Sequence, residues 1–274
     1  MTGTLGIIAG AGDLPVDLAE RCAAERRPCF VLRLKGLAAP ALDAHPGVTL
    51  PLGRLGEAIR RLKAAGCDRL MFVGKVMRPR LRDLSLDWRG FTGLLSLLAG
   101  AWRHDDRLHR AISRLFERDG IAVVGPAEVW PDLLVEAGTL SARAPDERAW
   151  ADIRLAAAAA LEVGATDRGQ GAVARDGAIV AVEDRDHTDG LLGRVAALPG
   201  RGGVLAKFAK AHQDRRLDLP VIGPETIAAA TAARLDGVVI EAGGAMLVRR
   251  AETLAAAEAA GLFLVGLDPA GVAA

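Results

Sequence analysis

The chain has 274 residues, 51% of them hydrophobic, and its 35 basic and 34 acidic residues leave a net charge of +1. That balance excludes the basic surface with which nucleic-acid binders neutralise phosphates, while the apolar content suffices for one large core or two ordinary ones. Cysteine stands only at Cys22, Cys29 and Cys67, neither an even disulfide set nor a CxxC zinc spacing, which fits a reducing cytoplasm.

The start of the chain runs straight into an apolar stretch containing Gly10, Gly12 and Asp13, so no export signal is expected. Short apolar runs at 5–9, 29–33, 48–51, 70–73 and 121–124, flanked by glycine, proline or charge, predict strands. Between them Leu55, Ile59 and Leu62, and then Leu108, Ile112, Leu115 and Phe116, recur at helical spacing and predict helices with one apolar stripe each. The apolar run at 91–102 falls well short of the roughly 20 residues that cross a bilayer. Strands alternating with crossover helices predict an α/β fold, with a Rossmann-like parallel sheet in an N-terminal domain over 1–130. Pro126, Pro131, Gly138 and Pro145 then interrupt the periodicity, and 131–145 is expected to be a linker. A second α/β domain is expected over 146–274, opening with an alanine-rich helix at 147–162 capped by Asp146. Its strands are expected at 171–174, 178–183, 203–207, 220–222, 237–241, 246–248 and 262–265, with helices near 189–197, 225–234 and 250–260.

Gly10, Gly12 and Asp13 lie where the first strand turns into a helix beginning near Pro15, and such a turn can cradle phosphate. The dinucleotide fingerprint is broken, because Pro15 replaces its third glycine and no acidic residue ends the strand at Arg33. A tight βα turn with proline in the first helical turn explains the same residues equally well. Lys75 and Arg78 follow another strand, at the end of the sheet where open α/β folds place ligands. Asp105 and Asp106 suit a helix first turn, and the 91–102 stripe suits either core or an acyl groove. In the second half polar residues gather at element ends: Gln170 and Gly171, Glu183, Thr188 and Asp189, Lys207 and Lys210, Gln213, Asp214 and Arg215, Asp218, Glu225 and Thr226. Each has an ordinary structural explanation, Thr188 as an N-cap among them. Together they supply carboxylates for a magnesium ion beside lysines for phosphate oxygens, the set that phosphoanhydride hydrolysis requires. The histidines show no paired metal spacing, and no GxSxG elbow occurs.

The opening Leu5-Gly-Ile-Ile-Ala-Gly10-Ala-Gly12-Asp13-Leu14-Pro15 resembles the LpxI-type UDP-2,3-diacylglucosamine pyrophosphatases. So do Gln170-Gly171-Ala172-Val173, Val182-Glu183, Thr188-Asp189, Gly203-Val204-Leu205-Ala206-Lys207, Gln213-Asp214 and Asp218-Leu219-Pro220-Val221-Ile222-Gly223, in that order. The resemblance implies a Rossmann-like domain joined to a catalytic α/β domain, and Mg²⁺-assisted hydrolysis of UDP-2,3-diacylglucosamine to UMP and 2,3-diacylglucosamine 1-phosphate in lipid A biosynthesis. Where the family pattern has an aspartate this chain has Glu225, one methylene longer.

On that basis Asp189 and Glu225 are expected to bind the Mg²⁺ or position water, and Lys207 and Lys210 to stabilise pyrophosphate charge. Gln170, Gly171, Thr188, Gln213 and Asp214 are expected to serve the same substrate, with Gly10, Gly12, Asp13 and Lys75 contacting its nucleotide or sugar. Attack at the β-phosphorus is favoured. The expected partner is the lipid substrate and not nucleic acid, in the cytoplasm with peripheral contact at the inner membrane; oligomeric state, a homodimer included, stays open. Two other classes compete: an NADP-dependent oxidoreductase with Arg33 on the 2′-phosphate, and a nucleotide-sugar sensor without turnover.

Overall fold

The computed structural model describes residues 3–76, 85, 87, 105–166, 168–184, 186–211, 213–217 and 219–272, with the backbone alone for 105–109. These residues form two compact α/β units, Met1–Val129 and Trp130–Ala274.

In the first unit β1 (Thr4–Ala9), β2 (Cys29–Leu34), β3 (Gly47–Leu50), β4 (Cys67–Val73) and β5 (Ala122–Val123) form a five-stranded parallel sheet in the order β3-β2-β1-β4-β5. This is the doubly wound order, with its switch point between β1 and β4. The helices α1 (Leu14–Ala24), α2 (Leu55–Ala64) and α3 (Asp105–Arg118) connect the strands, and a single turn, α4 (Pro126–Val129), follows β5. β1 sits centrally and is almost wholly buried, as a strand covered on both faces must be. Leu5, Ile7, Leu18, Leu62, Leu70, Met71 and Phe116 are fully buried. Phe116 meets Phe72 edge-to-face, with ring centroids 5.7 Å apart.

The second unit holds a six-stranded mixed sheet in the order β6-β13-β11-β9-β7-β8 and a two-stranded pair, β10-β12. Its members are β6 (Gly138–Thr139), β7 (Gly171–Arg175), β8 (Ala178–Val182), β9 (Val204–Lys207), β10 (Val221–Ile222), β11 (Gly237–Glu241), β12 (Met246–Leu247) and β13 (Phe263–Leu267). β9, β11 and β13 run parallel, while β7 is antiparallel to both β9 and β8. Residues 131–145, expected as a linker, pack into this unit. Gly138 and Thr139 pair with β13, Val135 is buried, and Ser141 accepts a hydrogen bond from the Leu264 amide.

One face of the sheet is covered by α5 (Glu147–Ala165), whose Asp146 caps it by accepting from the Ala149 amide at 2.8 Å. Ile153, Ala156, Ala157 and Ala160 recur at i, i+3, i+4 and i+7, and their small side chains let the helix lie close against Ala172, Ala174, Val204, Ala206 and Val239. The same helix sets a turn. Buried Asp152 accepts from the amides of Asp176 and Gly177 at 3.1 and 2.8 Å, the two left-handed residues of the β7–β8 hairpin. The opposite face is covered by α6 (His187–Ala197), α7 (Pro224–Ala232) and α8 (Arg250–Ala259), which bury Leu191, Val195, Ile227, Ala230 and Ala257 against Val173, Leu205, Val238, Ile240 and Leu264.

Candidate active site

In the first unit the glycine turn is interlocked with the loop after β4. The Gly10 amide donates to Val73, and Ala11 and Lys75 exchange amide–carbonyl hydrogen bonds at 2.9 and 2.8 Å. A Cβ at Gly10 would lie 2.7 Å from the Lys75 carbonyl, and one at Gly74 would lie 2.7 Å from the Ala11 carbonyl. Close approach of one protein loop to another therefore accounts for these glycines. Gly74 also has a positive φ, +92°, whereas Gly12 owes its glycine to backbone alone: its φ is +101°, and a Cβ there would meet nothing within 4 Å. Asp13 precedes α1 without capping it through its side chain, and Lys75 is exposed.

Arg33, the residue an NADP site would need, is committed elsewhere. Its guanidinium donates to the carbonyls of Leu42 and His45 and to Thr49 Oγ1, and pairs with Asp43 at 3.1 Å. Met77, Arg78, the 91–102 run, His104, His212 and Asp218 lie outside the described residues.

The second unit brings most of the polar set to one rim of its sheet. Lys207 and Glu241 end the parallel strands β9 and β11; antiparallel β7 begins at that rim, with Gly171 opposite Lys207. β8 returns there as well, and the Glu183 amide donates to the Gly171 carbonyl at 2.8 Å. This is the carboxyl end of the parallel strands, where open α/β sheets bind ligands. Strand alternation gives Lys207 the face of Leu205, the α6–α7 side.

Glu183 is 2% exposed and lies over Gly171, where a Cβ would come within 2.8 Å of its Oε2. That same oxygen accepts the Thr188 hydroxyl at 3.1 Å. Thr188 is thus not the N-cap expected from the sequence: Asp186 precedes α6, and Thr188, in the first turn, points its hydroxyl inward. Two residues before Asp186, Asp184 has its carboxyl held below the usual carboxylate range, chiefly by the Asp186 amide and then by Arg194.

Lys207 is buried, and its Nζ donates to the Val221 carbonyl at 3.1 Å, tying β9 to the strand that leads into α7. The loop after β9 is folded on itself. The Lys210 amide donates to Gln213 Oε1 at 3.0 Å, and Asp214 pairs with Arg216 at 2.8 Å. Glu241 secures this loop from beneath, accepting the Ala209 amide on Oε2 and Arg215 on Oε1, both at 2.7 Å. A lone acidic residue ending an apolar strand carried no signal of that role in the sequence.

Two buried polar atoms at the rim, Gln170 Oε1 and Gln213 Nε2, make no hydrogen bond among the described residues. One accepts and the other donates, so the rim offers both kinds of partner to a polar ligand.

The two expected metal carboxylates are placed differently. Asp189 and Glu225 are both exposed in the first turns of α6 and α7, and Glu225 forms an ion pair with Arg249 that holds its carboxyl below the ordinary glutamate range. Among the described residues no three histidine, cysteine, aspartate or glutamate side chains cluster as a metal cage. Mg²⁺ does not demand one, since it keeps several waters and takes one or two carboxylates together with substrate phosphates. The carboxylate oxygens of Asp189 and Glu225 are the ligand type that ion takes. Among the described residues no helix is long and apolar enough to cross a membrane.

Known proteins bear on both units. The model of the LpxI N-terminal domain matches residues 4–133 and that of the LpxI C-terminal domain residues 136–265. The UDP-2,3-diacylglucosamine pyrophosphatase LpxI of Caulobacter vibrioides is 43% identical over 273 residues, which cover 97% of this chain and 98% of that protein. With both domain models matched in order and a relative that similar along nearly its whole length, the chain belongs to the LpxI family.

Proposed function

We propose that this protein hydrolyses the pyrophosphate of UDP-2,3-diacylglucosamine to UMP and 2,3-diacylglucosamine 1-phosphate, in lipid A biosynthesis and with Mg²⁺ as cofactor. The observation that carries this reading is the rim of the second sheet, where Gln170, Gly171, Glu183, Thr188, Lys207, Lys210, Gln213 and Asp214 converge in a chain so similar to a named pyrophosphatase.

In the reaction a water oxygen bonds to phosphorus, the P–O–P bond breaks, and the leaving phosphate carries the negative charge. Lys207 and Lys210 supply positive charge to the pyrophosphate oxygens. Gln170 Oε1 and Gln213 Nε2 are the unengaged acceptor and donor that fix the substrate's polar groups, and Gly171 keeps the backbone low enough for Glu183 and the substrate to approach. Asp189 and Glu225 are the residues that would hold Mg²⁺, which supplies charge neutralisation between phosphate oxygens. Holding the ion would draw Glu225 away from Arg249. The substrate's two acyl chains imply peripheral contact with the inner membrane.

The test is UMP release from UDP-2,3-diacylglucosamine by the full chain, with Mg²⁺ and with a chelator, for the native protein and for Glu225→Ala with folding verified. Mg²⁺-dependent release that Glu225→Ala abolishes is expected. Release that the alanine variant retains would return Glu225 to the Arg249 ion pair alone. No release from the folded native chain would sink the hydrolase and favour a sensor.

A further inference from the structure

Two neighbouring parallel strands deliver opposite charges to one point. Ile222 of β10 pairs with Leu247 of β12, and the Val248 amide donates to the Ile222 carbonyl at 3.0 Å. Beyond that bond β10 passes through Gly223 into the first turn of α7, which carries Glu225, while β12 leads to Arg249, the residue that precedes α8. Arg249 stands in the left-handed region, at φ +45° and ψ +52°, which a non-glycine residue adopts only when its surroundings impose it. Thr253 imposes it here: its hydroxyl donates to the Val248 carbonyl at 2.7 Å and its amide to the Arg249 carbonyl at 2.8 Å. The guanidinium so placed donates from Nη2 to Glu225 Oε1. Gly223 leaves room for this pair, since a Cβ there would lie 3.1 Å from Glu225 Oε2 and 3.9 Å from Arg249 Nη2. The pair borders the rim described above, because the carbonyl that accepts from Lys207 belongs to Val221, the first residue of β10.

The two partners are not equivalent. The Arg249 side chain is 27% exposed and hangs from a fixed backbone, whereas that of Glu225 is 66% exposed and reaches the guanidinium from solvent. An ion pair this open to water contributes little to stability, so another anion can take the place of the carboxylate. A guanidinium fork matches phosphate oxygens as well as it matches a carboxylate. We propose that Arg249 is a substrate-contacting residue, whose place for a phosphate oxygen is occupied by the Glu225 carboxylate until the substrate enters. The inference rests on reading the rim of the second sheet as a pyrophosphate site, and it gives that site a cation beyond Lys207 and Lys210. On entry a pyrophosphate oxygen takes over the guanidinium, and Glu225 is released for its own role. No covalent bond changes in this exchange of partners.

The experiment titrates UDP, a diphosphate without the lipid, into the folded full chain in the presence of a chelator and follows the heat, so that neither metal nor turnover contributes. Glu225→Gln keeps the shape and removes the competing charge, and is expected to bind UDP ~5-fold more tightly than the native protein. Arg249→Asn, whose short side chain tolerates the left-handed backbone, is expected to bind at least ~10-fold more weakly. In the double variant the gain from Glu225→Gln is expected to disappear. Should the asparagine variant unfold, Arg249→Gly, which suits that backbone best, takes its place. Equal UDP binding by the native protein and the Arg249 variant overturns the proposal, as does a gain that the double variant keeps. UMP release by the native chain, measured in parallel, separates the two readings. Release together with UDP binding that ignores Arg249 removes this role and leaves the hydrolase standing, whereas neither binding nor release removes both.

Discussion

Thr188 places its hydroxyl 3.1 Å from the carboxylate of Glu183, a residue 2% exposed above Gly171. Removing the donor while keeping the shape isolates what it contributes. Thr188→Val is expected to lower stability by about 1–3 kcal/mol, because a buried acceptor loses a partner it cannot replace with water. Thr188→Ser should stay near the native value. Denaturant midpoints decide it, and equal midpoints for valine and serine would show that Glu183 does not need the hydroxyl.

Glu241 bears on the loop that carries Lys210 and Gln213, because its two oxygens engage Ala209 and Arg215 separately. Glu241→Ala leaves the Ala209 amide buried without its acceptor and is expected to cost about 1–3 kcal/mol. Faster hydrogen exchange at Ala209 and Gln213 should accompany that loss, together with lower UMP release. Glu241→Gln keeps one acceptor oxygen and loses the charge that holds Arg215, so it should fall between native and alanine. Unchanged exchange in the alanine variant would mean the loop is held by its own contacts.

Cys29 sets a pH dependence. Its thiol is lowered to about 7 by the hydrogen bond from Cys22, and only the thiolate alkylates. Labelling by iodoacetamide should therefore rise as pH climbs through about 7 and level off above it. Cys67, pushed up to about 11, should label slowly throughout. A Cys29 rate still climbing at the ordinary thiol range would remove the hydrogen bond as a cause.

Hydrolysis in ¹⁸O-water locates the bond that forms. Label is expected in the sugar phosphate, as attack at the β-phosphorus requires; label in UMP would move attack to the α-phosphorus. Either result leaves the hydrolase assignment standing and changes which phosphate the Lys207 rim must face.

Periodicity made most elements legible. The five strands of the first sheet and the alanine-rich α5 each carry an unambiguous apolar pattern. β6 was not legible, because its two exposed residues, Gly138 and Thr139, carry no alternation and pair only through their backbones. Thr188 has the local preference of a cap, but that preference says nothing of a carboxylate five residues earlier in the chain, which claims the hydroxyl through the tertiary fold. Arg33 had the right charge for a 2′-phosphate, and only the structure reveals that Asp43 and two carbonyls already hold it. The clustering of Lys207, Gly171 and Glu183 needed strand direction, which sequence spacing does not carry.

The Asp176–Gly177 turn lies at the far rim from those residues, yet it sets their phasing. The β7–β8 pairing shifts by one residue between Val173 and Ala174, a bulge that belongs to the native register; a further slip of one residue in β7 would turn the site of Gly171 toward α5 and put a Cβ-bearing neighbour beneath Glu183. Asp152, by gripping both amides of that turn, acts as the index mark of the ladder. A carboxylate on a helix away from that rim thus anchors the turn from which the ladder, bulge included, runs to the residues the rim presents.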